Sequence, residues 1–274
     1  VRAPSRLRQV AVLLALLAGV LPVAAEDLAR HFDAADTLRI GRALYEQDRR
    51  AAIAAEILAD NFDPAAEGLV GFITTGTPPR MTVRFVRRSD RGYVAAIDAV
   101  FEDLLLPVLR RAEDPRLDVD ELAQVEARLV VARDVATRCD GRYNTAVLPD
   151  PNGRGLLVYA LAATTDPGQV MVGGHLRYSV SRDGRRIERT EPLATSCAVA
   201  TLDDLERAAR TGGSEGLALR TTLSNLPLES HVFLSLIHDL PLFVVGRDLR
   251  LWRVDATGLH LERERPGEPP GKTP

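Results

Sequence analysis

From Leu69 to Glu262 the chain runs as short apolar stretches cut apart by glycine and proline, and this punctuation restricts the fold more than any other feature. Met81-Thr82-Val83-Arg84-Phe85-Val86 alternates, with Met81, Val83 and Phe85 on one side, the period-2 pattern of a half-buried strand. Opening strands are expected over Leu69 to Thr74, Met81 to Val86 and Tyr93 to Val100. Gly76-Thr77-Pro78-Pro79 and Ser89-Asp90-Arg91-Gly92 divide them as hairpin connections. Ala95, Ala96 and Ala99 would also suit a helix over 93–106, but the aromatic start and the preceding turn favour strand.

Further strands are expected at Tyr143 to Leu148, Gly155 to Ala162, Gln169 to Val180 and Arg186 to Glu191. Asp183-Gly184 is the strongest hairpin signal, because glycine tolerates positive φ while aspartate can bond to the tight turn. A last group covers His231 to Ile237, Leu242 to Val245, Leu251 to Val254 and Leu259 to Glu262. Its short breaks favour a meander over long crossovers.

Helical periodicity marks two longer segments. Leu38, Leu44, Ile53, Ile57 and Leu58 predict an amphipathic helix from Asp33 to Leu58, interrupted near Gly41. Leu122, Val125, Leu129, Val130 and Val135 predict a second, capped by Asp118 or Asp120 and running to Arg138, so that it delivers Cys139 at its end. A short helix from Leu202 to Arg210 is also expected. No repeated strand–helix alternation supports a doubly wound sheet. The expected class is α+β: an antiparallel sheet, or two small sheets, with N-terminal and central helices.

Arg2, Arg6 and Arg8 precede an apolar run from Val10 to Leu21, then Pro22 and Val23-Ala24-Ala25, which reads as a signal peptide over 1–25 cleaved before Glu26. Residues 26–264 would then form a single α+β domain or two tightly packed subdomains, and the proline- and glycine-rich residues 265–274 a disordered tail. A periplasmic or secreted location follows, with no transmembrane segment in the mature chain. Removing the leader takes 35 basic residues to 32 (35 − 3) against 38 acidic, a net charge of −6, which does not suit a nucleic-acid binder. Lys272 is the sole lysine, and arginine abundance alone specifies no ligand.

Cys139 and Cys197 are the only cysteines, and in an oxidising compartment an even pair reads as a disulfide. Two buried thiols or a redox pair are the competing readings, though the wide spacing lacks the CxxC arrangement of redox sites.

No cofactor motif is present: the glycines at 71, 76, 153, 155, 173 and 174 form neither a Walker nor a dinucleotide signature. Candidate metal ligands are His175, Glu229 and His231, the last two on one side of the expected strand. Candidate catalytic residues are His231, His238 and Asp239, with Ser230 and Ser235 nearby but no nucleophile elbow; half-exposed strand histidines and a plain turn are the competing readings. Arg138 to Asn144 concentrates donors and acceptors and serves either recognition or a helix exit. Trp252 is either a core ring or an interface anchor. The sequence is therefore read as an exported, noncatalytic binding or envelope-accessory protein, partnered by a small ligand or an envelope protein. The alternative is a periplasmic hydrolase or metal-dependent enzyme built on the histidines and nearby carboxylates.

Overall fold

Asp33 opens the first helix, α1 (Ala34–Asn61): its carboxylate accepts the Asp36 N–H at 2.7 Å, answering a donor that the first turn cannot satisfy internally. The computed structural model describes residues 30–103, 106–136, 138–139, 142–153, 155–164, 166, 168–201, 203 and 216–264. The expected leader, the tail, and the helix from Leu202 to Arg210 apart from Asp203 lie outside the described residues.

The structure is α+β, with three helices and fourteen strands among the described residues. The first sheet is an antiparallel meander in the order β1 (Leu69–Thr77), β2 (Arg80–Ser89), β3 (Gly92–Phe101) and β4 (Val108–Arg111). Next comes α2 (Val119–Val135), started by a reciprocal cap in which Asp118 accepts the Glu121 N–H at 2.7 Å and Glu121 accepts the Asp118 N–H at 3.0 Å.

The second sheet has the order β5-β6-β8-β9, from β5 (Arg142–Pro149), β6 (Leu156–Ala163), β8 (Leu176–Val180) and β9 (Ile187–Pro192). The strand expected from Gln169 to Val180 is broken: β7 (Gln169–Met171) leaves to pair with β10 (Val199–Thr201), and the chain re-enters the sheet at Leu176. Gly173 and Gly174 make the break, Gly174 with φ +80°. The β8–β9 connection turns at Gly184, φ +76°, as the Asp183-Gly184 pair predicts. Cys139 and Cys197 form a disulfide with Cα atoms 5.5 Å apart, tying the exit of α2 to the segment before β10.

The third sheet corrects two expectations. Residues Glu229–His238 form a helix, α3, and not a strand. Every residue from Glu229 to Ser235 is buried, the polar Glu229, Ser230, His231 and Ser235 included, so no exposed polar face marks the 3.6-residue period and Val232-Phe233-Leu234 reads equally well as a strand. Because α3 connects β11 (Leu217–Arg220) to its parallel neighbour β12 (Leu242–Val245), one crossover replaces the first hairpin of the expected meander. The meander holds from there, through β13 (Leu251–Asp255) and β14 (Gly258–Arg263).

Packing faces fix the layers. Ile40 and Leu44 of α1 join Ala146, Leu157, Tyr159 and Leu161 on one face of the second sheet, while Ala127, Val131 and Val135 of α2 join Val147, Val158 and Ala160 on the other. In the same way Ala54 and Leu58 of α1 cover Val83, Phe85 and Ile97 of the first sheet, and Val125 of α2 meets Ile73 and Val86 on its reverse. Sheets one and two therefore share a layer sandwiched between α1 and α2. Sheet three closes the far side of α1 and α3 with Leu242, Val244 and Val254. Gly41 does not interrupt α1; it is where α1 and α3 cross, since a Cβ there would stand 2.4 Å from Val232 Cβ and 2.8 Å from the Glu229 carbonyl oxygen.

Candidate functional site

Edge strands β1 and β5 lie side by side in the shared layer without pairing to each other. An open edge presents unpaired amides and carbonyls, and here three helix side chains reach into the seam to meet some of them. Gln47 of α1 donates from Nε2 to the Val147 carbonyl at 2.9 Å and accepts the Val147 N–H at 3.1 Å, so its amide binds β5 as a neighbouring strand would. Gln124 of α2 accepts the Thr74 N–H of β1 at 3.4 Å. Arg128 of α2 donates to the Thr145 carbonyl and, at 2.8 Å, to the Thr145 hydroxyl, with its guanidinium 4.2 Å from the Phe72 ring centroid.

Arg128 crosses the seam in a buried environment, and burial pushes its pKa down to about 9 against the attraction of Asp48 on α1. Its Nε and Nη2 have no hydrogen-bond partner. Asp48 is itself shifted up by burial, opposed by a hydrogen bond from Asn144.

Past the glutamines the seam opens into a cleft of about 660 Å³. Its floor is largely apolar, from Ala43, Met81, Pro78 and Val147, and Thr75 and Thr77 add hydroxyls along β1. The rim is charged in opposite senses: α1 contributes Arg39 and Arg42, and the start of α2 contributes Asp118 and Asp120. Two further carboxylates in the lining are neutralised locally, Glu46 by Arg50 and Glu121 by Arg84 at 2.9 Å. A smaller hollow of about 380 Å³ continues along β5, sharing Asp120, Gln124, Val147, Leu148 and Pro149 with the main cleft. This arrangement can enclose a ligand, hydrogen-bond its polar groups and pair with charges of either sign.

The sequence candidates lie elsewhere. Glu229 and His231 share the first turn of α3, but Glu229 contacts Arg177 and accepts the Tyr159 hydroxyl at 2.8 Å. His231 Nδ1 accepts the Leu228 N–H at 2.9 Å, half of a capping arrangement that leucine cannot return. His175 Nδ1 accepts the Ala162 N–H at 3.0 Å, and its Nε2 stands 3.2 Å from the Met171 carbonyl oxygen. Burial drives both imidazoles down to about 4. Among the described residues no group of three or more His, Cys, Asp or Glu is arranged to hold a metal ion.

His238 is exposed at the end of α3, and Asp239 follows it as a left-handed cap with φ 49°. Ser235 turns away from both, its hydroxyl donating to the carbonyls of Leu240 and Val254. In the loop from Arg138 to Asn144, the Tyr143 hydroxyl donates to the Gly174 carbonyl at 3.1 Å; Asp140 and Gly141 lie outside the described residues. Trp252 is half-buried on β13, opposite Val244 and Leu261, with an indole N–H that is buried without a partner.

A buried ion-pair cluster beside these residues is not foreseen from the sequence. Arg177, fully buried, donates from Nε to Glu191 at 3.0 Å and from its other nitrogens to Glu229 and the Arg30 carbonyl. Burial opposes its charge, but Glu229, Tyr159 and Glu191 together raise its pKa above the ordinary value. Arg30 makes a fork to Asp150 at 2.8 and 2.9 Å, and the Phe32 ring centroid lies 4.9 Å from both guanidinium groups. Arg177 between Leu176 and Tyr178 in β8 was the available signal, since a charge on a buried strand needs a partner. Gln47 and Gln124 offered a fainter one, as polar residues on helix faces turned toward the sheets.

Fold and site together define a layered α+β protein with a cleft between two sheet edges. Comparison with protein-family models, with characterised proteins and with solved structures returns no match.

Proposed function

We propose that this chain is an exported binding protein that holds its ligand in the cleft between β1 and β5. The observation that carries the reading is the cleft itself: about 660 Å³, within the range of ligand sites, with an apolar floor, spare hydroxyls and a rim charged in both senses. Export is supported by the basic and apolar leader and by the Cys139–Cys197 bond, which suits an oxidising compartment. No helix among the described residues is long and apolar enough to cross a membrane. The noncatalytic reading draws on the histidines, since His175 and His231 give ring nitrogens to the backbone and Ser235 is turned away from His238.

A fragment library screened by amide chemical-shift mapping tests the cleft. Binding should perturb Gly76, Gln124 and Val147, and Ala43→Trp, which fills the cleft from α1, should abolish those shifts while the spectrum stays folded. Fragments that bind only elsewhere, or nowhere, overturn the reading. Fractionation of expressing cells tests export separately: the trimmed chain should be recovered outside the cytosol.

A further inference from the structure

We propose that the ligand of this cleft is an extended peptide whose side chains alternate in charge, added as a strand to the β1 edge on the side that faces β5. The inference rests on the cleft being the binding site and specifies what enters it.

Backbone geometry is the first constraint. The walls are sheet edges: the Thr74 N–H points away from β2, so by strand alternation the Thr74 carbonyl and the Gly76 backbone also face the seam. Gly76, at φ +79°, has no side chain to cover its backbone, and a Cβ there would stand 2.6 Å from the Arg80 carbonyl oxygen. On the opposite wall Gln47 already takes both the N–H and the carbonyl of Val147, and Pro149 has no N–H, so backbone pairing falls to β1. Strand addition at an exposed edge is a general mode of peptide recognition, in which backbone bonds supply affinity and alternate side chains supply specificity.

Charge is the second constraint. A strand in the plane of the sheets sends successive side chains to opposite faces. Here α1 covers one face and presents Arg39 and Arg42, whereas α2 covers the other and presents Asp118 and Asp120. Arg39 shares exposed Asp36 and Arg42 donates to the Ala256 carbonyl, exposed contacts that an incoming carboxylate can replace. Acidic side chains should therefore point to α1 and basic ones to α2, with their aliphatic stems covering Ala43, Met81 and Val147.

Calorimetric titration of the purified protein with three capped hexapeptides tests this. The first alternates glutamate and lysine; the second has the same composition in two blocks; the third is the alternating peptide methylated at every second backbone nitrogen. The alternating peptide should bind about tenfold or more tighter than either control, a difference of about 1.4 kcal/mol. Asp120→Lys should weaken it by about tenfold and improve binding of an all-glutamate hexapeptide, a swap that loss of folding cannot produce. Equal affinity for block and alternating peptides, or indifference to methylation, overturns the proposal. If no peptide binds while fragments still perturb Gly76 and Val147, the peptide assignment fails and the cleft reading stands; if neither binds, both fail.

Discussion

Where the second sheet meets the first, Gln47 caps the β5 edge, Gln124 caps the β1 edge, and Arg128 touches both across a seam that widens into the cleft. On the face of that same sheet turned to α1 and α3, Leu44, Leu157, Tyr159, Leu161 and Val232 close around fully buried Arg177. Both junctions contain polar groups. At the closed face each nitrogen of Arg177 has an oxygen partner, so the charges hold elements together and have nothing left to offer. At the seam Arg128 keeps two unpartnered nitrogens, and Thr74, which lines the cleft, an unpartnered hydroxyl. Incomplete satisfaction beside accessible volume is what separates a binding region from a structural one.

The contrast breaks most sharply at its closed side. Arg177→Met should destabilise the fold by about 3 to 5 kcal/mol, because Glu229 stays buried without its counter-charge and Glu191 keeps only exposed Arg189 at 3.3 Å. Urea unfolding would register it as a lower midpoint at similar slope; a loss below about 1 kcal/mol would mean that the carboxylates take up protons or water instead. Cys139→Ser should cost about 2 to 4 kcal/mol by releasing a crosslink between residues 58 apart in sequence. Thiol labelling of the unfolded, nonreduced wild type checks the premise, since full labelling of both cysteines would rule the bond out.

Acid should weaken the same closed region. His175 and His231 are held neutral, with pKa values driven to about 4 from an ordinary 6.5. Between those values the unfolded chain binds more protons than the folded one, so stability is complete above about pH 6.5 and falls as the pH drops toward 4. By pH 5 the loss should reach about 2 kcal/mol per histidine, and His231→Gln should flatten the slope of stability against pH by about half. Gly41→Ala tests the helix crossing: crowding against Val232 costs about 2 kcal/mol, better helix propensity returns about 1, and calorimetry should show a net loss of about 1 kcal/mol.

Gln47→Ala is expected to have the smallest effect, about 0.5 kcal/mol, because water entering from the cleft can replace the amide on Val147. Amide exchange at Val147 should nevertheless accelerate. A loss comparable to that of Arg177→Met would place the seam among the structural junctions and remove the contrast.

How far the sequence could be read follows from which interactions are local. The alternation in Met81 to Val86, the Asp183-Gly184 turn and the apolar stripe of α2 each depend on residues close in the chain, and each appears where expected. The helix α3 reads as a strand because its residues from Glu229 to Ser235 are buried whether polar or apolar, and β11, only four residues from Leu217 to Arg220, carried too little pattern to suggest the crossover. The candidate site was not legible at all. Its walls come from α1, the β1–β2 hairpin, the start of α2 and the end of β5, and no spacing rule connects Gln47 with Val147 or Gln124 with Thr74.

Short-range physics thus determined most of the strands, the hairpin turns, two of the helices, the α+β class and the cysteine pair available for crosslinking. Tertiary structure alone decided that two sheets would share one layer with a gap between their edges, and that Glu229 would neutralise Arg177 while His175 and His231 served the backbone. The reason is that strand periodicity says which way a side chain points, whereas the partner it meets depends on how distant segments are brought together.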